Sequence, residues 1–150
     1  VAPSLACQAV EKILKSFIFI ESGEVLSECH DPYVLKQKLK NNYHLDGSDN
    51  LLKKLYGFYR SRYMDNQKAI LDRTSKELDE VDHLWVHLVN QLPMPDEIKY
   101  SSIFFAMLFN EDMKKHWSFE YWLRHKNRAI AKENKLWKKR YEEVQKHYYG

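Results

Sequence analysis

The segment of residues 51–92 carries an apolar stripe that recurs mostly every three, four or seven residues, which is the spacing of one helix face. Its opposite face is rich in Lys, Arg, Asp and Glu. An unbroken helix of this length would extend about 60 Å at about 1.5 Å per residue. Such a helix would give shorter helices a spine to pack against. The stripe consists of Leu51, Leu52, Leu55, Tyr59, Tyr63, Ile70, Leu78, Val81, Trp85, Leu88 and Leu92.

Turn and capping residues mark the ends of this spine. Asp46-Gly47-Ser48-Asp49 supplies a turn and an N-cap before it. Pro93 ends it, because proline lacks the backbone N–H and restricts the preceding residue. Inside the spine, Thr74 and Glu77 have the spacing of a capping box, which makes a break near Thr74 an alternative to one long helix.

The remaining composition favours helix throughout. The 150 residues include only four Gly and four Pro, and no segment alternates as a strand would. Helix starts are predicted at Pro3-Ser4, at Asp31-Pro32 and near Asp96, with a last helix from about Ala129 to Tyr148. We therefore predict an all-α, single-domain, up-and-down bundle of about five helices over residues 1–150, with one long central helix.

Positive charge is concentrated in the C-terminal third. Residues 114–147 contain eleven Lys/Arg against four Glu, a net charge of +7 in a chain whose total is +3. This asymmetry is typical either of a solvated helix face or of a surface that binds an anionic partner. The predicted docking track comprises Lys114, Lys115, Arg124, Lys126, Arg128, Lys138, Lys139 and Arg140.

Two apolar runs stand out, residues 17–20 and 103–109. One helix face can use only about half of such a run for an ordinary core. Either the runs are deeply buried, or part of each is exposed as a patch for a membrane or partner. On the second alternative, the membrane-insertion candidates are Phe17, Phe19, Ile103, Phe104, Phe105 and Phe109, and the interfacial aromatics beside the basic track are Trp117, Tyr121 and Trp122.

Signatures of catalysis are missing from the sequence. It has no Gly-rich phosphate loop, HExxH, GxSxG or CxxC motif. Glu80-Val81-Asp82-His83 matches the Glu-x-x-His of di-iron bundles, and His87 follows one turn later, but no second copy of the motif exists. We therefore expect no enzyme activity, no metal and no cofactor, and, since no RNA-module motif is present, no nucleic-acid partner.

The two cysteines, Cys7 and Cys29, leave two alternatives open. In a secreted protein a disulfide between them would tie the first helix to the following loop. In a cytosolic protein two reduced thiols are the default. No signal peptide is visible, but a mature secreted chain would also lack one.

Several segments resemble abalone sperm lysin. Leu55-Tyr56-Gly57-Phe58-Tyr59-Arg60-Ser61-Arg62-Tyr63-Met64 is similar to the long-helix segment of that family, and a helix opening at Tyr100 follows in both. Asp112-Met113 and Phe119-Glu120-Tyr121-Trp122-Leu123-Arg124-His125-Lys126-Asn127 look like lysin's Asp-Met pair and aromatic cluster. The similarity extends in pieces from about Val10 to Val144. The acidic residues 77–82 and the two cysteines depart from lysin and favour its paralogue, the fusagenic acrosomal sperm protein.

The resemblance implies a secreted protein of the sperm acrosomal granule, without enzyme activity, that perturbs membranes during sperm–egg fusion. Its partner would be a lipid bilayer with anionic headgroups or an egg-surface component. One alternative is a lysin-like stoichiometric binder of an egg-coat glycoprotein, acting as a homodimer through an apolar face. A second alternative, which does not use the resemblance, is an intracellular helical adaptor that binds RNA or an acidic protein.

Overall fold

The computed structural model describes residues 2–61, 75–115 and 120–150, and these ranges contain nine helices and no strand. The predicted all-α class is confirmed. Two compact units are present, Val1–Pro93 and Met94–Gly150. The helices are α1 (Ala2–Ser22), α2 (Pro32–Lys38), α3 (Asp49–Ser61), α4 (Ser75–Gln91), α5 (Asp96–Tyr100), α6 (Ile103–Phe109), α7 (Glu111–Lys114), α8 (Glu120–His125) and α9 (Arg128–Tyr149).

The core of the first unit is formed by α1 to α4. Helix α1 presents one fully buried residue per turn, at the three- and four-residue spacing that keeps side chains on one face. Of the spine residues on α3 and α4 that were predicted to face inward, Leu52, Leu55, Val81 and Leu88 are buried in the same cluster, whereas Trp85 is only half-buried. Its buried members include Cys7, Val10, Leu14, Phe17, Leu35, Leu52, Leu55, Val81, Leu84 and Leu88.

The two ends of the predicted spine are α3 and α4. Helix α3 begins at Asp49 after the turn at Gly47, whose φ of 81° favours glycine. Helix α4 ends at Gln91, just before the predicted stop at Pro93. The predicted break near Thr74 lies outside the described residues, so the choice between one long helix and two stays open.

The second unit contains more helices than the sequence predicted. About five helices were expected in the whole chain, whereas the described residues hold nine. Part of the excess arises because a polar side-chain cap at Asn110 starts a new helix directly after α6. The Asn110 side chain accepts hydrogen bonds from the backbone N–H groups of Asp112 and Met113, both at 3.0 Å, and thereby starts α7 directly after α6.

The long helix of the second unit is α9, which starts at the cap of Asn127. The Asn127 side chain accepts a hydrogen bond from the Ile130 N–H at 3.0 Å. The inward face of α9 buries Trp137, whose ring lies edge-on to Phe105 at 5.2 Å between centroids. Tyr141, one turn later, contacts Phe109 at 5.9 Å. Helix α6 therefore supplies much of the aromatic core on which α9 rests.

Candidate membrane-binding surface

Five cations form a straight row along the outer face of α9. They recur at intervals of four, three, four and seven residues, which places them on one side of the helix, opposite the buried Ile130, Trp137 and Val144. The row spans about 27 Å at about 1.5 Å per residue. All of its members are exposed, and we call them the basic row: Arg128, Lys132, Lys135, Lys139 and Lys146.

Most of the basic row has no counterion among the residues that the structure describes. Lys139 lies 3.8 Å from Glu143. Within the residues that the structure describes, no carboxylate lies within ion-pair distance of Arg128, Lys132, Lys135 or Lys146. The charge of these four side chains is therefore available to an external anion.

The predicted docking track, by contrast, is largely neutralised by the chain itself. Lys114 and Lys115 form ion pairs with Glu111 at 2.7 Å and Asp112 at 3.0 Å. The two remaining cations on α9 that lie off the basic row are also paired, Lys138 with Glu142 at 3.6 Å and Arg140 with Glu143 at 3.6 Å and Asp96 at 3.8 Å. Of the predicted track, Lys126, Arg128 and Lys139 remain as well-exposed cations at or along α9.

Three cations of the basic row were missed as site residues in the sequence. Lys132, Lys135 and Lys146 were counted in the charge but were not assigned to the track. Their spacing from Arg128 was a usable signal, because it is the spacing of one helix face. The burial of Trp137 on the opposite side identifies that face as the outer one.

Two exposed aromatic rings lie at the start of the basic row. Tyr121 and Trp122 on α8 are 57% and 62% exposed. The Trp122 carbonyl accepts hydrogen bonds from the N–H groups of Lys126 at 2.8 Å and Asn127 at 3.0 Å, which closes the turn into α9. Arg128, the first cation of the row, follows Trp122 by six residues in the chain. The third predicted interfacial aromatic, Trp117, lies outside the described residues.

The membrane-insertion candidates separate into core and surface residues. Phe17, Phe105 and Phe109 are buried, so the structure corrects the prediction for these three and assigns them to the core. The reason is the aromatic packing of α6 on α9 and the inward face of α1. Phe104 is half-buried and contacts the Phe105 ring at 5.1 Å. Phe19 and Ile103 are on the surface, 55% and 70% exposed.

The two cysteines are free thiols in the structure. Burial, together with smaller contributions from the nearby carboxylates of Glu11 and Asp31, raises the pKa of the Cys7 thiol to about 12. Cys29 is partly exposed and packs against the same core cluster that contains Cys7. A disulfide between them stays a prediction.

The histidine pair on α4, considered in the sequence as part of a metal-binding motif, makes contacts with a carbonyl and a carboxylate of the chain. His87 Nε2 donates a hydrogen bond to the Tyr43 carbonyl at 2.7 Å, and His83 Nε2 lies 3.6 Å from an Asp79 carboxylate oxygen. Across the described ranges, no group of three or more His, Cys, Asp or Glu residues has a geometry that could hold a metal ion.

Comparison of the chain with protein-family models, with curated proteins and with solved structures finds no match. The resemblance to the lysin family therefore stays a prediction. Among the helices described, none has both the length and the apolar character needed to cross a bilayer.

Proposed function

We propose that this protein is a non-enzymatic membrane-binding protein that docks on anionic bilayers through its second unit. The single observation that carries the proposal is the basic row on α9. A row of exposed cations attracts the headgroups of an anionic membrane, and exposed Trp and Tyr side chains suit the membrane interface.

Electrostatic attraction supplies the first part of the binding free energy. A Lys or Arg near an anionic membrane surface contributes about 1 kcal/mol. The four cations of the row that have no counterion among the described residues would therefore contribute about 4 kcal/mol, enough for reversible docking. Cations already paired with carboxylates contribute less, because docking must first compensate for the lost ion pair.

Exposed aromatic side chains supply the second part of the binding free energy. Tyr121 and Trp122 are exposed at the end of the row where α9 begins. Amphipathic rings prefer the headgroup level of a bilayer, where one edge is apolar and the other is wet. With Phe105 and Phe109 in the core, the proposed contact is shallow and interfacial, and membrane perturbation would come from crowding the headgroup layer.

The biological setting remains part of the proposal. The resemblance to the fusagenic sperm protein supports secretion into the acrosomal granule, release at the egg and a role in sperm–egg membrane fusion. The finer architecture predicted from the sequence, a single-domain up-and-down bundle with one long central helix, also belongs to this proposal.

Vesicle binding tests the proposal. The folded protein is sedimented with vesicles of phosphatidylcholine alone or mixed with phosphatidylserine, at low and high salt, and lipid mixing is followed in parallel. The expected result is binding to the anionic vesicles that weakens as salt screens the row. Equal binding to both vesicle types, or no binding at any salt by a protein that remains helical, would contradict it.

The rival function, stoichiometric binding of an egg-coat glycoprotein, makes the opposite prediction. It expects saturable binding to solubilised coat fragments and indifference to lipid. The burial of Phe17, Phe105 and Phe109 is the observation that keeps this rival in consideration, because it removes half of the proposed insertion residues from the surface.

A further inference from the structure

We infer that Arg124 is a positioning residue for the membrane contact, and that it holds α8 so that Tyr121 and Trp122 enter the headgroup layer of an anionic bilayer as a fixed pair. The inference rests on the proposed function and deepens it. It also changes the role of Arg124, which the sequence assigned to the docking charge.

The guanidinium of Arg124 is held by three partners from three helices of the second unit. It forms an ion pair with Glu120 on α8 itself. Its Nε donates a hydrogen bond to the Asn134 side-chain oxygen on α9 at 3.1 Å. Its Cζ lies 5.4 Å from the centre of the Phe109 ring on α6. The Arg124 side chain is only 14% exposed, so it has little surface left for a lipid headgroup.

Helix α8 depends on such contacts for its position. It has six residues and none of them is buried. A helix this short has no stability of its own in water, because nucleation costs more than a few hydrogen bonds return. The Arg124 contacts and the Trp122 carbonyl bonds in the following turn therefore fix the helix that carries this aromatic pair, and the Tyr121 ring also contacts His125 at 4.8 Å between centroids.

The side chains exposed around α8 favour an anionic phospholipid bilayer as the binding partner of this surface. The rings of Tyr121 and Trp122 are exposed, and the turn that follows leads within a few residues to Lys126 and Arg128. Amphipathic rings beside cations fit a headgroup layer, in which phosphates lie next to the start of the acyl chains. A rigid pair also loses less side-chain entropy on binding than a mobile one.

Replacing Arg124 by Lys separates positioning from charge. Lysine keeps the positive charge but lacks the planar fork that contacts Glu120 and Asn134 together. We expect Arg124→Lys to weaken binding to phosphatidylserine-containing vesicles about fivefold, as much as Trp122→Ala does. Arg60→Lys is the matched control, the same substitution at an exposed arginine of α3 outside the proposed membrane-binding surface, and should leave binding unchanged.

Fluorescence quenching by brominated phosphatidylcholine in the same vesicles reports directly on Trp122. The quenching lost in Trp122→Phe defines the signal of this ring, and Arg124→Lys should lose the same signal. Asn134→Ala, which removes only one partner of Arg124, should lose part of it with normal helix content. Arg124→Lys and Asn134→Ala that bind and quench like the wild type would overturn the inference. That result would leave the proposed function intact, whereas a wild-type protein that binds no vesicle would refute both.

Discussion

The imidazole Nε2 of His87 lies 2.7 Å from the carbonyl oxygen of Tyr43 and donates a hydrogen bond to it. This bond ties α4 to a loop in which two successive non-glycine residues, Tyr43 and His44, have left-handed φ angles of 49° and 54°. Such angles cost free energy unless surrounding contacts impose them. On the other side of the loop, the Tyr43 hydroxyl donates to the Glu21 carboxylate on α1.

Replacing His87 by Ala should therefore destabilise the protein. The substitution leaves a partly buried carbonyl without its donor and releases the strained loop. We expect the free energy of unfolding to fall by about 1–2 kcal/mol, measured by urea denaturation. His83→Ala, one turn earlier and paired only loosely with Asp79 at 3.6 Å, is the control and should change it by less than about 0.5 kcal/mol. Equal effects of both substitutions would contradict this role for His87.

The Glu21 carboxylate makes the stability of the first unit depend on pH. Burial acts to raise the pKa of Glu21, but hydrogen bonds from Tyr43, the Lys40 N–H and Asn41 outweigh it and hold the pKa below its ordinary value. Because the folded pKa is the lower one, this stabilisation is present above about pH 4.3, the ordinary glutamate value, and is lost as the pH falls through the folded pKa.

Glu21→Gln tests this pH dependence. At pH 7 the variant should be less stable than the wild type by about 1 kcal/mol, a modest value because the carboxylate lies near solvent. The difference should shrink as the pH falls below about 4. Chemical denaturation at a series of pH values measures it, and a difference that stays constant down to pH 3 would contradict the assignment.

The two thiols should differ in reactivity. With a pKa of about 12 and a fully buried side chain, Cys7 is expected to resist alkylation in the folded protein. The partly exposed Cys29 should react in the folded state. Counting labelled thiols before and after unfolding should therefore give one and then two. A count of zero in both states, restored by a reductant, would instead demonstrate the disulfide that the sequence leaves open.

Truncating residues in the run of residues 103–109 should lower the free energy of unfolding by very different amounts, depending on whether the residue is buried. Phe105→Ala removes a buried ring that contacts Trp137 and should lower the free energy of unfolding by about 3–5 kcal/mol. Ile103→Ala affects a residue on the surface and should change it by about 0.5 kcal/mol or less. Thermal unfolding measures both effects. A small effect of Phe105→Ala would contradict its place in the core and make it a candidate for membrane insertion again.

Periodicity in the sequence predicted the helices well where one face is continuously apolar. Of the predicted stripe, Leu52, Leu55, Val81 and Leu88 are buried, and the last helix lies within a residue of its predicted bounds. The predicted number of helices was too low where a side-chain cap ends one helix and starts the next. The Asn110 cap separates α6 from α7, and an asparagine in a charged stretch gives little sign in the sequence of whether it caps a helix.

The candidate site was less predictable than the fold, because counterions depend on tertiary contacts. Arg140 looks like a free cation in the sequence, yet Asp96 from α5 lies 3.8 Å away. Arg124 is mostly buried because Asn134 and Phe109 come from other helices. Lys132 and Lys135 could have been selected, since their spacing from Arg128 alone places them on one face.

Two charge-matched double variants on α9 test the central claim most directly. Lys132→Gln with Lys135→Gln removes two cations of the basic row, whereas Lys138→Gln with Arg140→Gln removes two paired cations from the same helix. Binding to phosphatidylserine-containing vesicles should fall about 20-fold or more in the first variant, at about 1 kcal/mol per cation, and by only a few-fold in the second. Equal losses would mean that net charge alone drives binding, which would contradict a docking surface on the outer face of α9.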